Sequence, residues 1–364
     1  VKQKKVLILF GGRSTEHEVS INSARNVANA IDINLYDPVL VGISKESGTW
    51  YHFSGQAISQ ELNIVSDTSC NIDNIVNLFK AGPSCDLKNA KGTLNIPIAF
   101  VLPITHGKYG EDGCLQGLCR MFNLPFAGPG VASSAVCMDK DFTKRILQST
   151  NVPVCDYMTV YKGEQVTYKH IEKTFGVPFF LKPANTGSSV GVYKVKSRTD
   201  FDRYMPSVFQ YDDKVVIEEF IKGREIECAV LGNHDPIASV LGEINPKHDF
   251  YSYEAKYLDP DGAALTIPAQ LDDSTAALVK AYAQDAYKAL GCKGFARVDF
   301  FVTGTNEIYL NEINTLPGFT NISMYPKLFE SSGIGYSELI SHIICHGMDD
   351  FSAWNALSTK HHLA

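Results

Sequence analysis

The spacing of apolar residues changes along this chain, and each spacing predicts an element. Lys5 to Phe10 is apolar at every position after the first, as in a strand covered on both faces. Gly11-Gly12 ends the run. Ile21, Ala24, Val27, Ala28 and Ile31 then recur at three- and four-residue steps, which predicts a helix with one apolar face. Thr15 and Glu18 have the spacing of a capping box at its start. Strand, glycine turn and helix in this order predict an open α/β unit. Pro38 to Ile43 and Ile96 to Pro103 predict further strands. The stretch 52–95 is polar and weakly patterned, and reads as an insertion or peripheral element.

After Gly128-Pro129-Gly130 the texture changes. Ser133 to Thr150 predicts a helix that Asn151-Val152-Pro153 stops. Strands are expected over 177–182, 190–195, 214–220, 225–231 and 236–244. A helix fits Asp272 to Leu290, closed by Gly291. Gly294 to Val302 and Glu307 to Ile313 predict an antiparallel pair turning at Thr303 to Asn306. No internal repeat or low-complexity segment interrupts this order.

A length of 364 residues suits two or three domains. A net charge of −7 without a basic stretch argues against nucleic-acid binding, which needs clustered Lys and Arg. The nine cysteines include no C-x-x-C pair, so neither a zinc site nor a disulfide framework is expected, and a reducing compartment fits. No apolar stretch approaches membrane-spanning length. These features predict a soluble, cytoplasmic protein with no membrane partner.

The acidic hairpin carries the most chemistry. Side chains alternate across a strand, so Arg297 and Asp299 share a face, as do Glu312 and Asn314 on the next strand. Pairing would gather two carboxylates, an amide and a guanidinium. Hard oxygen donors suit Mg²⁺, with phosphates and water completing the shell, and Glu312 could bridge two ions. Taken alone, the same residues also fit a solvated strand face. Gly318, in Pro317-Gly318, could offer its N–H with Arg297 as an oxyanion hole, although a simple turn explains that glycine equally well. Lys182 to Gly191, KPANTGSSVG, follows a strand and reads as a loop that folds over phosphates. Lys182 and Lys140 could add cations there. Neither a Walker A sequence nor G-x-G-x-x-G is present. Val215 to Ile221 suits an adenine edge read by the main chain of Glu219 and Ile221, with Glu225 available to ribose hydroxyls. A plain amphipathic strand is the competing reading.

Taken together, these segments resemble the ATP-grasp superfamily, and specifically the D-alanine–D-alanine ligases. The resemblance spans nearly the whole chain. It rests on GGRSTEHEVS (11–20), THGKYGEDG (105–113), MDK (138–140), KPANTGSSVG (182–191), YSYEAKY (251–257), GFARVDF (294–300) and NEINTLPGFT (311–320). It implies an N-terminal open α/β (Rossmann-like) domain over 1–129, on the first-substrate side. A two-lobed ATP-grasp fold would follow, with a central lobe over 130–218 and a C-terminal lobe over 219–364. The resemblance further implies that Lys140, Lys182, Glu218, Glu219, Ile221 and Glu225 bind ATP. Asp299, Glu312 and Asn314 would hold two Mg²⁺ or Mn²⁺ ions. Glu16 would meet the ammonium of the first D-alanine and His106 would lie near its carboxylate. Ser188 and Tyr257 would join Glu16 in a hydrogen-bonded network. Arg297 and Gly318 would form the oxyanion hole, and Lys256 and Ser323 would hold the second carboxylate. The segment 247–262 is expected to close as a lid. A homodimer follows from the resemblance. Competing activities are ligation of D-alanine to D-lactate or D-serine, another ATP-grasp reaction, and a nucleotide-binding regulator without catalysis. Tyr257 after Lys256 favours D-alanine as second substrate.

Overall fold

The structure is a computed structural model that describes residues 3–54, 65–68, 70–82, 84–246 and 263–357. The first lobe runs β1 (Lys4–Gly11), α1 (His17–Ala30), β2 (Tyr36–Ile43) and β3 (Trp50–Phe53). A small antiparallel meander follows, made of β4 (Val76–Ala81), β5 (Ser84–Asn89) and β6 (Asn95–Pro97). The chain then forms β7 (Phe100–Pro103) and α2 (Cys114–Met121). The first sheet has the order β3-β2-β1-β7, with β1 parallel to both β2 and β7. The carboxyl ends of β1, β2 and β7 therefore point the same way, with β3 antiparallel at the edge, and the 11–16 and 104–113 loops meet there.

Two expectations change in this lobe. Residues 96–103 form two short strands instead of one, because β6 pairs with the meander and β7 with β1. The weakly patterned stretch before them holds the β4–β6 meander, a separate small sheet. Val76, Cys85 and Leu87 are buried and pack with Leu7, Leu9, Val39 and Val41 of the main sheet. The capping box at α1 is also absent. Glu16 sits at the N-cap with no side-chain cap bond, and Glu18 pairs instead with Lys45 at 2.8 Å.

Next come α3 (Val131–Met138), α4 (Lys140–Leu147), β8 (Tyr157–Tyr161), α5 (Tyr168–Phe175) and β9 (Phe179–Pro183). They are followed by β10 (Tyr193–Val195), α6 (Arg198–Val208) and β11 (Lys214–Glu219). The helix expected across 133–150 breaks at Asp139, whose backbone is extended. Its carboxylate caps α4 by accepting from Asp141 N and Phe142 N, and a residue so engaged cannot continue the preceding helix. The second sheet, β10-β9-β11-β8, is antiparallel and encloses a core of its own around Ile171, Phe179, Leu181 and Ile217.

The third sheet contains β12 (Gly223–Leu231), β13 (Ile237–Pro246), β14 (Ala263–Thr266), β15 (Phe295–Thr303) and β16 (Ile308–Asn314). Its order is β14-β13-β12-β15-β16. Helices α7 (Asp273–Ala289), α8 (Met324–Ser331) and α9 (Tyr336–Asn355) complete the chain's described elements. Phe319, Tyr325, Leu339 and Ile343 share one continuous core with Val6, Ile8 and Phe10. The first and third sheets are thus fused through a common interior, whereas the second sheet packs on its own hydrophobic cluster.

Candidate active site

A cavity of about 390 Å³ lies between the second and third sheets. Lys140, Lys182, Glu218, Glu219, Ile221, Glu225 and Glu312 all line it. These residues come from α4, β9, β11, the β11–β12 turn, β12 and β16, so only folding brings them together. Phe180 and Phe301 add apolar wall.

Lys182 projects from β9 and is held by two acceptors, Glu218 Oε2 at 2.5 Å and Asn311 Oδ1 at 3.1 Å. Lys140 donates to the carbonyl of Thr186 at 2.6 Å and stands 3.9 Å from Glu312 Oε2. It thereby ties the 183–191 loop to the acidic strand. Ser188 and Ser189 in that loop have positive φ, 53° and 59°, a conformation rarely adopted outside glycine. Glu219 turns its carboxylate onto the backbone N–H of Asp156 at 2.8 Å, fixing the edge of the strand.

Glu218 is fully buried. Burial alone would raise its pKa, but Lys144 and Lys182 outweigh that and bring it down to about 2. Lys144 Nζ lies 3.2 Å from Glu218 Oε1. That approach is an ion pair between two buried side chains, at 1% and 3% exposure.

The acidic hairpin has the expected register. Arg297 faces Asn314 and Asp299 faces Glu312 across β15 and β16. A bulge then shifts the register, since Phe300 pairs with Leu310 and leaves Asn311 as the extra residue. This is how Asn311 and Glu312, neighbours in sequence, both reach the cavity. Arg297 binds Asp299 through two bonds of 2.7 Å and meets Glu227 at 2.9 Å. Asn314 Nδ2 adds a third donor to Asp299 at 2.9 Å. Among the described residues no group of three or more His, Cys, Asp or Glu is arranged to hold a metal. Two carboxylates and an amide from the paired strands β15 and β16 nonetheless fit a hard cation that takes its remaining oxygens from phosphates and water. Such an ion would compete with Arg297 for Asp299.

Around the first lobe, Ser188 Oγ donates to Glu16 Oε1. A side chain at Gly107 would come within 2.9 Å of the Glu16 carboxylate, and one at Gly187 within 3.3 Å. Bare backbone on both sides therefore lets this buried acid approach the 183–191 loop. His106 is buried, and burial lowers its pKa. Its Nδ1 donates to the carbonyl of Leu316 at 2.9 Å, which places the ring against the loop that carries Gly318. That loop is pinned further by Ser23 Oγ, which accepts from Phe319 N at 3.1 Å. A Cβ at Gly318 would lie 2.7 Å from Ser323 Oγ, so a side chain there would displace that hydroxyl. Ser323 accepts in turn from Thr320 N at 2.9 Å. Lys256 and Tyr257, with the whole 247–262 segment, lie outside the described residues.

Several functional neighbours escaped the sequence reading. Glu111 is half-buried and accepts from Gly107 N at 2.7 Å and Leu316 N at 3.1 Å, joining the loops that follow β7 and β16. Burial, with the Glu16 charge nearby, pushes its carboxyl up to about 8. Lys144, Glu227 and Asn311 are the others. Glu111 and Asn311 stand inside quoted motifs, which was the available signal. Lys144 and Glu227 had none.

Two family models match, described as D-ala D-ala ligase N-terminus over residues 5–129 and D-ala D-ala ligase C-terminus over residues 146–345. The chain belongs to the D-alanine–D-alanine ligase family. It is similar to D-alanine–D-alanine ligase A of Salmonella typhimurium, 45% identical over 98% of both chains. It is 44% identical to the Escherichia coli K12 enzyme over 99% of this chain and 100% of that one. Among solved structures, the D-alanine–D-alanine ligase from Coxiella burnetii matches with TM-score 0.87 and 36% identity, covering 98% of this chain and 97% of that one. VanG D-Ala:D-Ser ligase from Enterococcus faecalis matches with TM-score 0.82 and 34% identity, covering 95% of this chain and 100% of that one. The fold is that of the ATP-grasp ligases, as expected. ATP is the co-substrate that this family implies, typically with a divalent cation. Among the described residues, no helix is long and apolar enough to cross a membrane.

Proposed function

We propose that this protein ligates two D-alanines to D-alanyl-D-alanine for peptidoglycan precursor synthesis, converting ATP to ADP and phosphate by phosphoryl transfer to the first carboxylate. The observation that carries the reading is a cavity lined by Lys140, Lys182 and Glu312, with the Arg297–Asp299–Asn314 cluster beside Glu312. Near-full-length relatives named for this reaction support it.

A free carboxylate is a poor electrophile, and phosphorylation supplies it with a leaving group. Glu16 meets the ammonium of the first D-alanine, braced by Ser188, while His106 and Glu111 fix the substrate-side loops. Glu218, Glu219, Ile221 and Glu225 hold the base and ribose. Lys140 and Lys182 neutralise the phosphates as the γ-phosphoryl moves to the first carboxylate. Asp299, Glu312 and Asn314 are the residues that would hold two Mg²⁺ or Mn²⁺ ions, which supply further charge neutralisation at the phosphates when bound. The second amine then attacks the acyl phosphate. Arg297 and the Gly318 N–H stabilise the oxyanion, and phosphate leaves. Lys256 and Ser323 hold the second carboxylate, Tyr257 joins the Glu16–Ser188 pair, and the 247–262 segment excludes water that would hydrolyse the acyl phosphate. We also propose three lobes at 1–129, 130–218 and 219–364, a cytoplasmic location and a homodimer.

Product analysis with ATP and Mg²⁺ tests the reading. D-Alanine alone should yield D-alanyl-D-alanine with one ADP per dipeptide. Product that forms only when D-serine or D-lactate is added would assign the VanG-like alternative. ATP turnover without any dipeptide or depsipeptide would reject both.

A further inference from the structure

Lysine is among the residues least often buried without a partner, yet Lys144 is 1% exposed. It lies one turn after Lys140 on α4, so both side chains leave the same face of that helix. They do different things. Lys140 lines the nucleotide cavity, whereas Lys144 does not and stands behind Glu218. Its ammonium is 3.2 Å from Glu218 Oε1 and 3.2 Å from Cys155 Sγ, and 5.6 Å from the centre of the Tyr157 ring. Glu218 Oε2 holds Lys182 at 2.5 Å. The result is a buried row of cation, anion and cation, of which only Glu218 and Lys182 face the cavity.

Without Lys144, Glu218 and Lys182 would be a closed pair, each neutralising the other. A carboxylate drawn wholly onto Lys182 would take that ammonium out of service for an incoming phosphate. A second cation at the rear divides the pull on Glu218 and fixes its carboxylate plane. We infer that Lys144 is a positioning residue for ATP: through Glu218, and without touching the nucleotide, it holds Lys182 free to bind phosphate. This rests on the reading that the cavity takes ATP. The anchoring is built from several directions. Asp139 caps α4 and pairs with Lys214 of β11, so the helix that carries Lys144 is bound to the strand that carries Glu218.

The test is direct titration of ATP with Mg²⁺ onto the full chain by calorimetry, for the native protein, Lys144→Met, Glu218→Gln and the double variant. Thermal melting checks that each is folded. Lys144→Met should weaken ATP binding about 10- to 100-fold, a fraction of the cost of a broken buried charge pair, because most of that cost falls on folding and only part on the position of Lys182. The KM for D-alanine should stay within about twofold. In the Glu218→Gln background the same change should have almost no further effect, because its route of action is gone. Should Lys144→Met fail to fold, Lys144→Arg replaces it. That variant keeps the charge but displaces it, and should weaken binding in the native background alone. Native-like ATP affinity in the single variant, or an equal loss in both backgrounds, would overturn the inference, the latter marking a purely structural lysine. If the native protein itself does not bind ATP, the reading of the cavity has failed instead.

Discussion

Replacing Arg297 by alanine separates two roles that the structure superimposes. Its guanidinium makes two 2.7 Å bonds to Asp299 and a 2.9 Å contact with Glu227. Both carboxylates are buried, at 2% and 3% exposure, so neither can recover its losses from water. Breaking a buried pair by removing one partner costs about 3–5 kcal/mol, and here two acids lose the same partner. Arg297→Ala should therefore lower stability by roughly that amount. Losing an oxyanion donor should also reduce turnover by about 10²–10³-fold. Glu227→Gln in the Arg297→Ala background removes one uncompensated charge. It should recover part of the stability and none of the turnover. Thermal melting followed by circular dichroism reads the first quantity, and dipeptide formation under saturating ATP reads the second. If the second substitution restores turnover along with stability, Arg297 serves the fold alone and the oxyanion assignment is wrong.

Other outcomes follow from the same geometry. Glu312→Gln should abolish the rise in melting temperature that Mg²⁺ gives in the presence of ATP, together with nearly all ligation; an unchanged Mg²⁺ response would remove Glu312 from the metal set. Ser188→Ala deletes a hydrogen bond to a carboxylate, worth about 1.5–3 kcal/mol, and should lower kcat/KM for D-alanine about 10- to 150-fold while ATP affinity holds; equal losses for both substrates would point to collapse of the loop. The Glu218 carboxyl is depressed to about 2 in the folded chain from the usual 4.5. Its contribution to stability is then fully present above pH 4.5 and fades as pH falls toward 2, because the unfolded chain takes up the proton first. The stability gap between the native protein and Glu218→Gln should therefore close across that window, and a gap independent of pH would contradict the depressed value.

How legible the molecule was depended on whether the signal was local. The β15–β16 hairpin could be read because side chains alternate with a period of two, which set Arg297 and Asp299 opposite Asn314 and Glu312. The bulge at Asn311 breaks that period, and no residue type announces it. The break at Asp139 was hidden because apolar spacing continues across it from α3 into α4, while the capping carboxylate competes only once the chain turns. Thr15 and Glu18 looked like a cap. Lys45, distant in sequence, took Glu18 instead. The meander at 76–97 was read as peripheral because its strands are short and half polar, and its burial depends on the main sheet beside it. Lys144 and Glu227 look like surface charges until the fold buries them. The motif residues of the phosphate and acidic segments were legible one by one, but their convergence on one cavity followed from the family resemblance alone, since no local spacing carries it.

The central claim, that the first carboxylate is activated by phosphorylation before the amide forms, is tested most directly by isotope transfer. D-Alanine labelled with ¹⁸O in both carboxylate oxygens is turned over with unlabelled ATP and Mg²⁺, and the released phosphate is analysed by mass. The account predicts one ¹⁸O atom in the phosphate for each dipeptide formed, because the oxygen lost from the first carboxylate leaves with the phosphoryl group. Dipeptide formed with unlabelled phosphate would contradict it.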